Sequence, residues 1–235
     1  MRMKKLVPMS WRYRIADMRG RGVYGDYADE YRCIFIHIPK TAGTSVVRAL
    51  FGSESRHIPW QEYQQTNRNK FSEYFKFAFV RNPWDRLLSA YIFLRRGGMN
   101  TADATWAERH LARFPDFESF VHGWLSPKNV ESWVHFIPQY KWIYDDRGSL
   151  QMDFVGRMES LNEDFPTVAK RLGKKVELPV TNQTRSNHYS ESYTQEMAEI
   201  VAKIYAHDAR LFSYEFEWKT VPDEREPESQ KLSGR

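Results

Sequence analysis

Residues Cys33–Val46 read CIFIHIPKTAGTSV, an apolar run that passes directly into a short polar turn and then a helix start. Cys33–His37 has β-type composition, and Thr44–Phe51 (TSVVRALF) spaces its apolar residues helically, so the segment predicts strand, turn, helix. Backbone N–H groups of such a turn face outward at the positive end of the helix dipole, where anionic oxygens bind. Gly43 allows close backbone approach, Thr41, Thr44 and Ser45 offer hydroxyl donors, and Lys40 supplies a mobile cation. Pro39, Lys40, Thr41, Ala42, Gly43, Thr44 and Ser45 are therefore a candidate cradle for a phosphate-bearing ligand; the alternative is an ordinary strand-to-helix turn with a capping threonine. A Walker A loop needs Gly, four residues and then Gly-Lys-Ser/Thr, whereas this turn has one glycine and its lysine precedes it, which disfavours a kinase.

Phe75–Val80 predicts a second buried strand, after which Asn82 and Pro83 supply an N-cap and a helix-starting proline for the run Trp84–Arg96. Arg81 then falls at the C-terminal end of a strand, where open α/β sheets place ligands, and Ser89 lies two turns into the helix. Arg81 either grips a phosphate bidentately with help from Ser89 or serves as an ion-pairing residue. Between Gly97 and Pro138 the pattern is of helices and irregular segments, with Gly97-Gly98 ending the preceding helix. Trp142–Tyr144 and Phe154–Gly156 read as short strands, and Ser160 with Glu163 reads as a capping box opening a helix to about Leu172. Met197, Ile200, Val201, Ile204 and Tyr205 mark the buried face of a last helix.

A chain of 235 residues with 41% hydrophobic content is long enough for one α/β domain with a sizeable core. Residues 1–30 read as a basic arm that packs on the domain or meets an anionic surface, 31–218 as the domain, and 219–235 as a polar, disordered tail. The net charge of +5 suits a polyanionic cofactor, an acidic glycan or nucleic acid without choosing among them. Cys33 is the only cysteine, which excludes an intramolecular disulfide and points to a reducing compartment. No apolar run approaches the ~20 residues of a membrane span, so a soluble chain is expected.

HIPKTAGTS at His37–Ser45 together with FVRNPWDRLLSAY at Phe79–Tyr91 resembles the signature pair of the carbohydrate sulfotransferases related to the chondroitin and heparan sulfate 2-O-sulfotransferases. The resemblance continues through DFVGRMESLNEDF (Asp153–Phe165) and weakly through IYAHDARLFSYEF (Ile204–Phe216). It implies a P-loop-like, three-layer α/β fold with a mostly parallel central sheet flanked by helices. It also implies 3′-phosphoadenosine 5′-phosphosulfate (PAPS) as co-substrate, with the first motif on the 5′-phosphosulfate and Arg81 and Ser89 on the 3′-phosphate. Lys40 is then the cation at the bridging oxygen, and the scheme requires no metal. The base in such relatives is a histidine between the two motifs; His57 is the only one in that interval, with His135 as runner-up and His37 read as a core residue. Arg185, in the polar stretch Thr181–Tyr189, either adds a phosphate contact or lies in a solvated loop. Arg157 and Glu159 match a motif read as an ion pair at a strand end.

The function expected is transfer of a sulfuryl group from PAPS to a hydroxyl of a saccharide or glycan, with no nucleic-acid partner. The rivals are a nucleotide-dependent phosphotransferase and a non-catalytic binder of polyanions. Trp106, Trp124 and Trp133 either stack on the acceptor or belong to the core. Golgi relatives carry a membrane stem absent from this sequence, so a cytoplasmic enzyme is expected.

Overall fold

The computed structural model describes residues 17, 22–25, 27–54, 56–178 and 188–219. The expectations for Arg185 and for the tail beyond residue 219 lie outside them, as does most of what concerns residues 1–30.

Three strands form a parallel sheet in the order β1 (Cys33–Ile36), β2 (Phe75–Val80), β3 (Phe154–Arg157). Phe35 stands opposite Phe77, and Phe77 opposite Phe154. Side chains alternate across a strand, so Cys33, Phe35, Phe77 and Phe79 face one layer while Ile34, Ile36, Ala78 and Val80 face the other. The first layer is α2 (Gly43–Phe51) and α9 (Leu161–Arg171), through Val46, Val47, Leu50, Phe165 and Val168. The second is a larger helical body that includes α5 (Pro83–Arg95), α6 (Thr101–Leu111), α7 (Phe117–Trp124) and α10 (Gln195–Ile204). With both faces covered, β1 is buried throughout, which is why it reads as a continuous apolar run. The architecture is the three-layer α/β arrangement expected.

Shorter helices complete the chain: α1 (Tyr27–Tyr31), α3 (Trp60–Thr66), α4 (Arg68–Glu73), α8 (Pro127–Val130) and α11 (Ala206–Leu211). Tyr24 is fully buried and donates its hydroxyl to the carbonyl of Tyr63, so this part of the N-terminal arm packs into the domain. No helix among the described residues is long and apolar enough to cross a membrane.

Two local expectations fail. Trp142–Tyr144 is not a strand: Gln139–Trp142 is a 3-10 helix, and Tyr144 makes only an isolated antiparallel bridge to Leu150. Trp142 and Ile143 are buried in the core of the helical body, with Tyr144 packed half-buried against it, so the apolar run reflects packing between helices and not a strand. Ser160 does not form a capping box with Glu163; its hydroxyl donates to Asp164 at 2.8 Å, and that carboxylate also accepts from the Arg157 N–H at 2.7 Å. The nearer demand, closing the end of β3, takes the carboxylate that would otherwise leave the serine free to cap.

Because all strands run the same way, the segments after β1 and β2 emerge on one edge of the sheet, where ligands of open α/β sheets bind. Both sequence motifs end there.

Candidate active site

The turn after β1 is held by its carbonyls. Arg86 Nε donates to the Pro39 carbonyl at 2.9 Å and Arg81 Nη1 to the Lys40 carbonyl at 3.2 Å. A trans peptide sets N–H and C=O in opposite directions, so the N–H groups of Lys40 and Thr41 point away from the two arginines. Lys40 (φ 71°) and Ala42 (φ 64°) both adopt the left-handed conformation, at a cost of about 1–2 kcal/mol for each side-chain-bearing residue. Such kinked runs of backbone converge their N–H groups into an anion-binding concavity.

Helix α2 begins at Gly43 with Ala42 as N-cap, which has no capping side chain. Thr41 is buried and donates its hydroxyl to the Ile38 carbonyl at 2.9 Å, so it staples the turn instead of capping the helix or offering its proton outward. The N–H groups of Gly43 and Thr44, at the first turn, have no intrahelical acceptor. Thr44 is exposed and Ser45 half-buried beside them. No threonine caps the helix, which departs from the alternative of a turn with a capping threonine.

Gly43 has a further reason beside the one expected: a Cβ at this position would lie 2.0 Å from His37 Cδ2, so the glycine makes room for an imidazole.

Arg81 is buried, and its Nε and Nη2 both donate to Asp85 Oδ2, at 2.8 and 2.7 Å. Arg81 thus makes an ion pair with Asp85, and the pair fixes the guanidinium against the turn. Asp85 and Ser89 are four residues apart on α5, so half-buried Ser89 follows on the same helical face. Asn82 caps α5 by accepting from the Trp84 N–H, as expected. Arg157 and Glu159 do not pair with each other: Arg157 donates to the Phe212 carbonyl, while Glu159 accepts from the Asn82 N–H and the Tyr214 hydroxyl. Each fastens a strand end to the C-terminal segment.

Three histidines gather beside Lys40. His37 and His57 have ring centroids 4.3 Å apart, and His57 and His135 lie 6.1 Å apart, edge to face. His57 Nδ1 is 2.8 Å from the His37 carbonyl, which can only accept; Nδ1 therefore carries the proton and Nε2 the lone pair. His135 Nε2 lies 3.1 Å from Asp103 Oδ1. Lys40 Nζ sits 4.0 Å from the centroid of Phe93, whose ring is 4.9 Å from that of His135. Burial drives His37 and His135 below the ordinary imidazole range, to about 3 and about 4, the latter against the pull of Asp103, with neighbouring cations adding to the effect; His57 is exposed but partly desolvated by its neighbours and is lowered as well. The group is a cluster of neutral bases next to a cation.

The predicted residues Pro39–Ser45, Arg81 and His57 thus converge on one edge of the sheet, together with His37 and His135. Arg86, Asp103, Gln139 and Asp208 were not anticipated. Arg86 is completely enclosed and also donates to the His135 and Ile137 carbonyls. Gln139 exchanges hydrogen bonds with the backbone of Arg81, and Asp208 accepts from the N–H groups of Gln139 and Tyr140. Only Asp103 had a local signal, the Asn100-x-x-Asp103 spacing of a helix start.

A cavity of about 460 Å³ is lined by Thr101, Thr105, Trp106, Arg109, His110 and Trp133, among others. Its walls come from α6 and the segment before His135, the same two stretches that bring Asp103 and His135 together. Trp106 and Trp124 are core residues, whereas Trp133 is half-buried and stacked on Trp106 at 5.5 Å.

Comparison with known proteins agrees with this arrangement. A family model described as the sulfotransferase family matches residues 26–215. An uncharacterized protein of Archaeoglobus fulgidus is 28% identical over 130 residues, covering 54% of this chain and 92% of that protein. Carbohydrate sulfotransferase 14 of Danio rerio is 23% identical over 79% of this chain and 60% of its own length. For carbohydrate sulfotransferase 12 of Xenopus laevis the figures are 24%, 66% and 44%. The chain therefore spans less than two thirds of either carbohydrate sulfotransferase. No solved structure gives a significant match. With the match running from α1 to the segment after α11 and enclosing both motifs, the chain belongs to the sulfotransferase family.

Proposed function

We propose that this protein transfers a sulfuryl group from PAPS to a hydroxyl of a saccharide. The observation that carries the reading is the pairing of an uncapped, left-handed turn at α2 with a neutral histidine cluster across Lys40. PAPS, when bound, supplies the sulfuryl group and a leaving group with two separated phosphate-bearing ends. The N–H groups of the turn, with the hydroxyls of Thr44 and Ser45, would hold the 5′ end; Arg81, oriented by Asp85, and Ser89 would hold the 3′ end. Arg185 is a further candidate for the nucleotide. Lys40 would place positive charge where the leaving oxygen develops negative charge, the type of stabilisation that dominates group transfer. His57 Nε2, with its lone pair fixed by the Nδ1–H bond to the His37 carbonyl, is the proposed base for the acceptor hydroxyl. Aromatic walls beside His135 suit the face of a sugar ring, as the names of the two vertebrate relatives would lead one to expect. The buried thiol of Cys33 suits a reducing compartment, so the cytoplasm is the proposed location.

Thermal-shift titration with 3′-phosphoadenosine 5′-phosphate (PAP) against ATP plus Mg²⁺ tests the donor site. Stabilisation by PAP is expected, and stabilisation by ATP alone would reject the proposal. Transfer of labelled sulfate to a glycan panel tests the reaction, with Lys40→Ala expected to lower turnover by about 10²–10³-fold. Retention of full turnover in that variant would remove Lys40 from the chemistry.

A further inference from the structure

The geometry points to His135, held by Asp103, as the residue that positions the acceptor: its Nδ1 takes a hydrogen bond from a hydroxyl adjacent to the one His57 deprotonates. This rests on the sulfotransferase reading and specifies the acceptor class as a saccharide with neighbouring hydroxyls.

Asp103 is buried and every part of it is used. Oδ1 pairs with His135 Nε2, and Oδ2 accepts from the Met99 N–H at 3.2 Å and from Asn100 Nδ2 at 3.1 Å. The turn before α6 is shaped around this carboxylate: Gly98 has φ +68°, and a Cβ there would lie 2.1 Å from Asp103 Cβ. An ionised carboxylate only accepts, so His135 Nε2 carries the proton and Nδ1 is left as an acceptor. That Nδ1 is buried and has no hydrogen-bond partner among the described residues. A fold that commits a buried carboxylate to choosing a tautomer, and then leaves the chosen lone pair unused, has prepared a site for a donor.

The donor must come from the active-site side, since the neighbouring rings of His135 are His57 and Phe93 and the cation nearby is Lys40. His57 offers a lone pair at Nε2 and no donor there, so it cannot satisfy His135 while it is neutral. Two imidazoles presenting one lone pair each match two adjacent hydroxyls, one to be deprotonated and one to be held. The cavity walled by Trp106 and Trp133 is built from the same two segments that carry Asp103 and His135, which makes it the candidate place for the rest of the sugar.

The test uses Asp103→Asn and His135→Phe with methyl glycosides and their monodeoxy analogues as acceptors. The amide that Asp103→Asn introduces can donate to Nε2, which moves the proton to Nδ1 and removes the acceptor. Both variants are expected to raise the acceptor KM by about tenfold, as for one hydrogen bond, with PAP affinity unchanged and, in His135→Phe, the acid limb of the rate profile unchanged as well; Asp103→Asn removes a negative charge that acts on His57 and moves that limb to lower pH. The wild type should lose the same factor with one monodeoxy analogue, and His135→Phe should lose nothing further with it. In the wild type, the ¹⁵N resonance of His135 Nδ1 should move on adding glycoside to the PAP complex and not on adding PAP alone. A response to PAP alone, loss of kcat with unchanged KM, or a displaced acid limb in His135→Phe would overturn the proposal. A melting curve of each variant identifies a folding failure, in which case the ¹⁵N and monodeoxy results on the wild type decide. If the wild type neither binds PAP nor transfers sulfate, the parent reading fails as well, whereas wild-type transfer with indifferent variants sinks this inference alone.

Discussion

A methyl group added at residue 43 would enter the imidazole of His37, so Gly43→Ala is expected to destabilise the protein by about 1–3 kcal/mol, in the range of core overpacking. Urea unfolding measures this, and the cost should shrink when His37→Ala is combined with it, because the smaller side chain vacates the contested space. Independent, additive effects would mean that the contact does not decide the glycine. His57 supplies the second prediction at this scale. Its exposed imidazole is held below the ordinary range by partial desolvation and by the nearby cations Arg86 and Lys40, so it is neutral above that depressed value and charged below it. A base must be neutral, so kcat/KM should be flat through neutrality and fall only at pH values below the usual imidazole pKa of ~6.5. An acid limb at or above that value would contradict His57 as the base.

At the scale of elements, α5 organises the site more than any other. Its cap, Asn82, fixes where it starts; Arg81, just before that cap, grips the Lys40 carbonyl, and Arg86, one turn in, grips the Pro39 carbonyl. The helix therefore aims the turn after β1 without contributing to its sequence. Arg86→Met would strip the hydrogen bonds from the buried carbonyls of Pro39, His135 and Ile137, with an expected cost of about 3 kcal/mol or more. Denaturant unfolding gives the loss of stability. PAP titration of the folded fraction should show weaker binding as well, because the turn is no longer held, and unchanged binding would show that the turn keeps its shape unaided.

For the whole molecule, enclosing the neutral imidazoles of His37 and His135 links folding to pH. Their folded-state pKa values are depressed, so their contribution is complete above the unfolded value of ~6.5 and is lost as pH falls toward the folded values of about 3 and about 4 cited for His37 and His135. Near pH 5 unfolding should take up about two protons from this pair, read as the slope of unfolding free energy against pH. A flat stability curve from neutrality to that point would show that the cluster is hydrated and not enclosed.

The parallel core and the turn were legible in the sequence because their causes are local. A strand buried on both faces is a continuous apolar run, as at Cys33–Ile36, and a helix start announces itself by Asn82-Pro83. The same locality misled where two partners competed for one group, as Ser160 met Asp164 instead of capping, and it gave no sign that Gly43 also makes room for His37. By itself the sequence determined the fold class, the position of the turn and the two motifs at the sheet edge. Only the tertiary structure decided which histidines meet, which tautomers they hold, and that Asp103 and Arg86 belong with them. Those facts depend on hydrogen bonds between segments far apart in the chain, and no spacing of residues encodes a contact that folding alone creates.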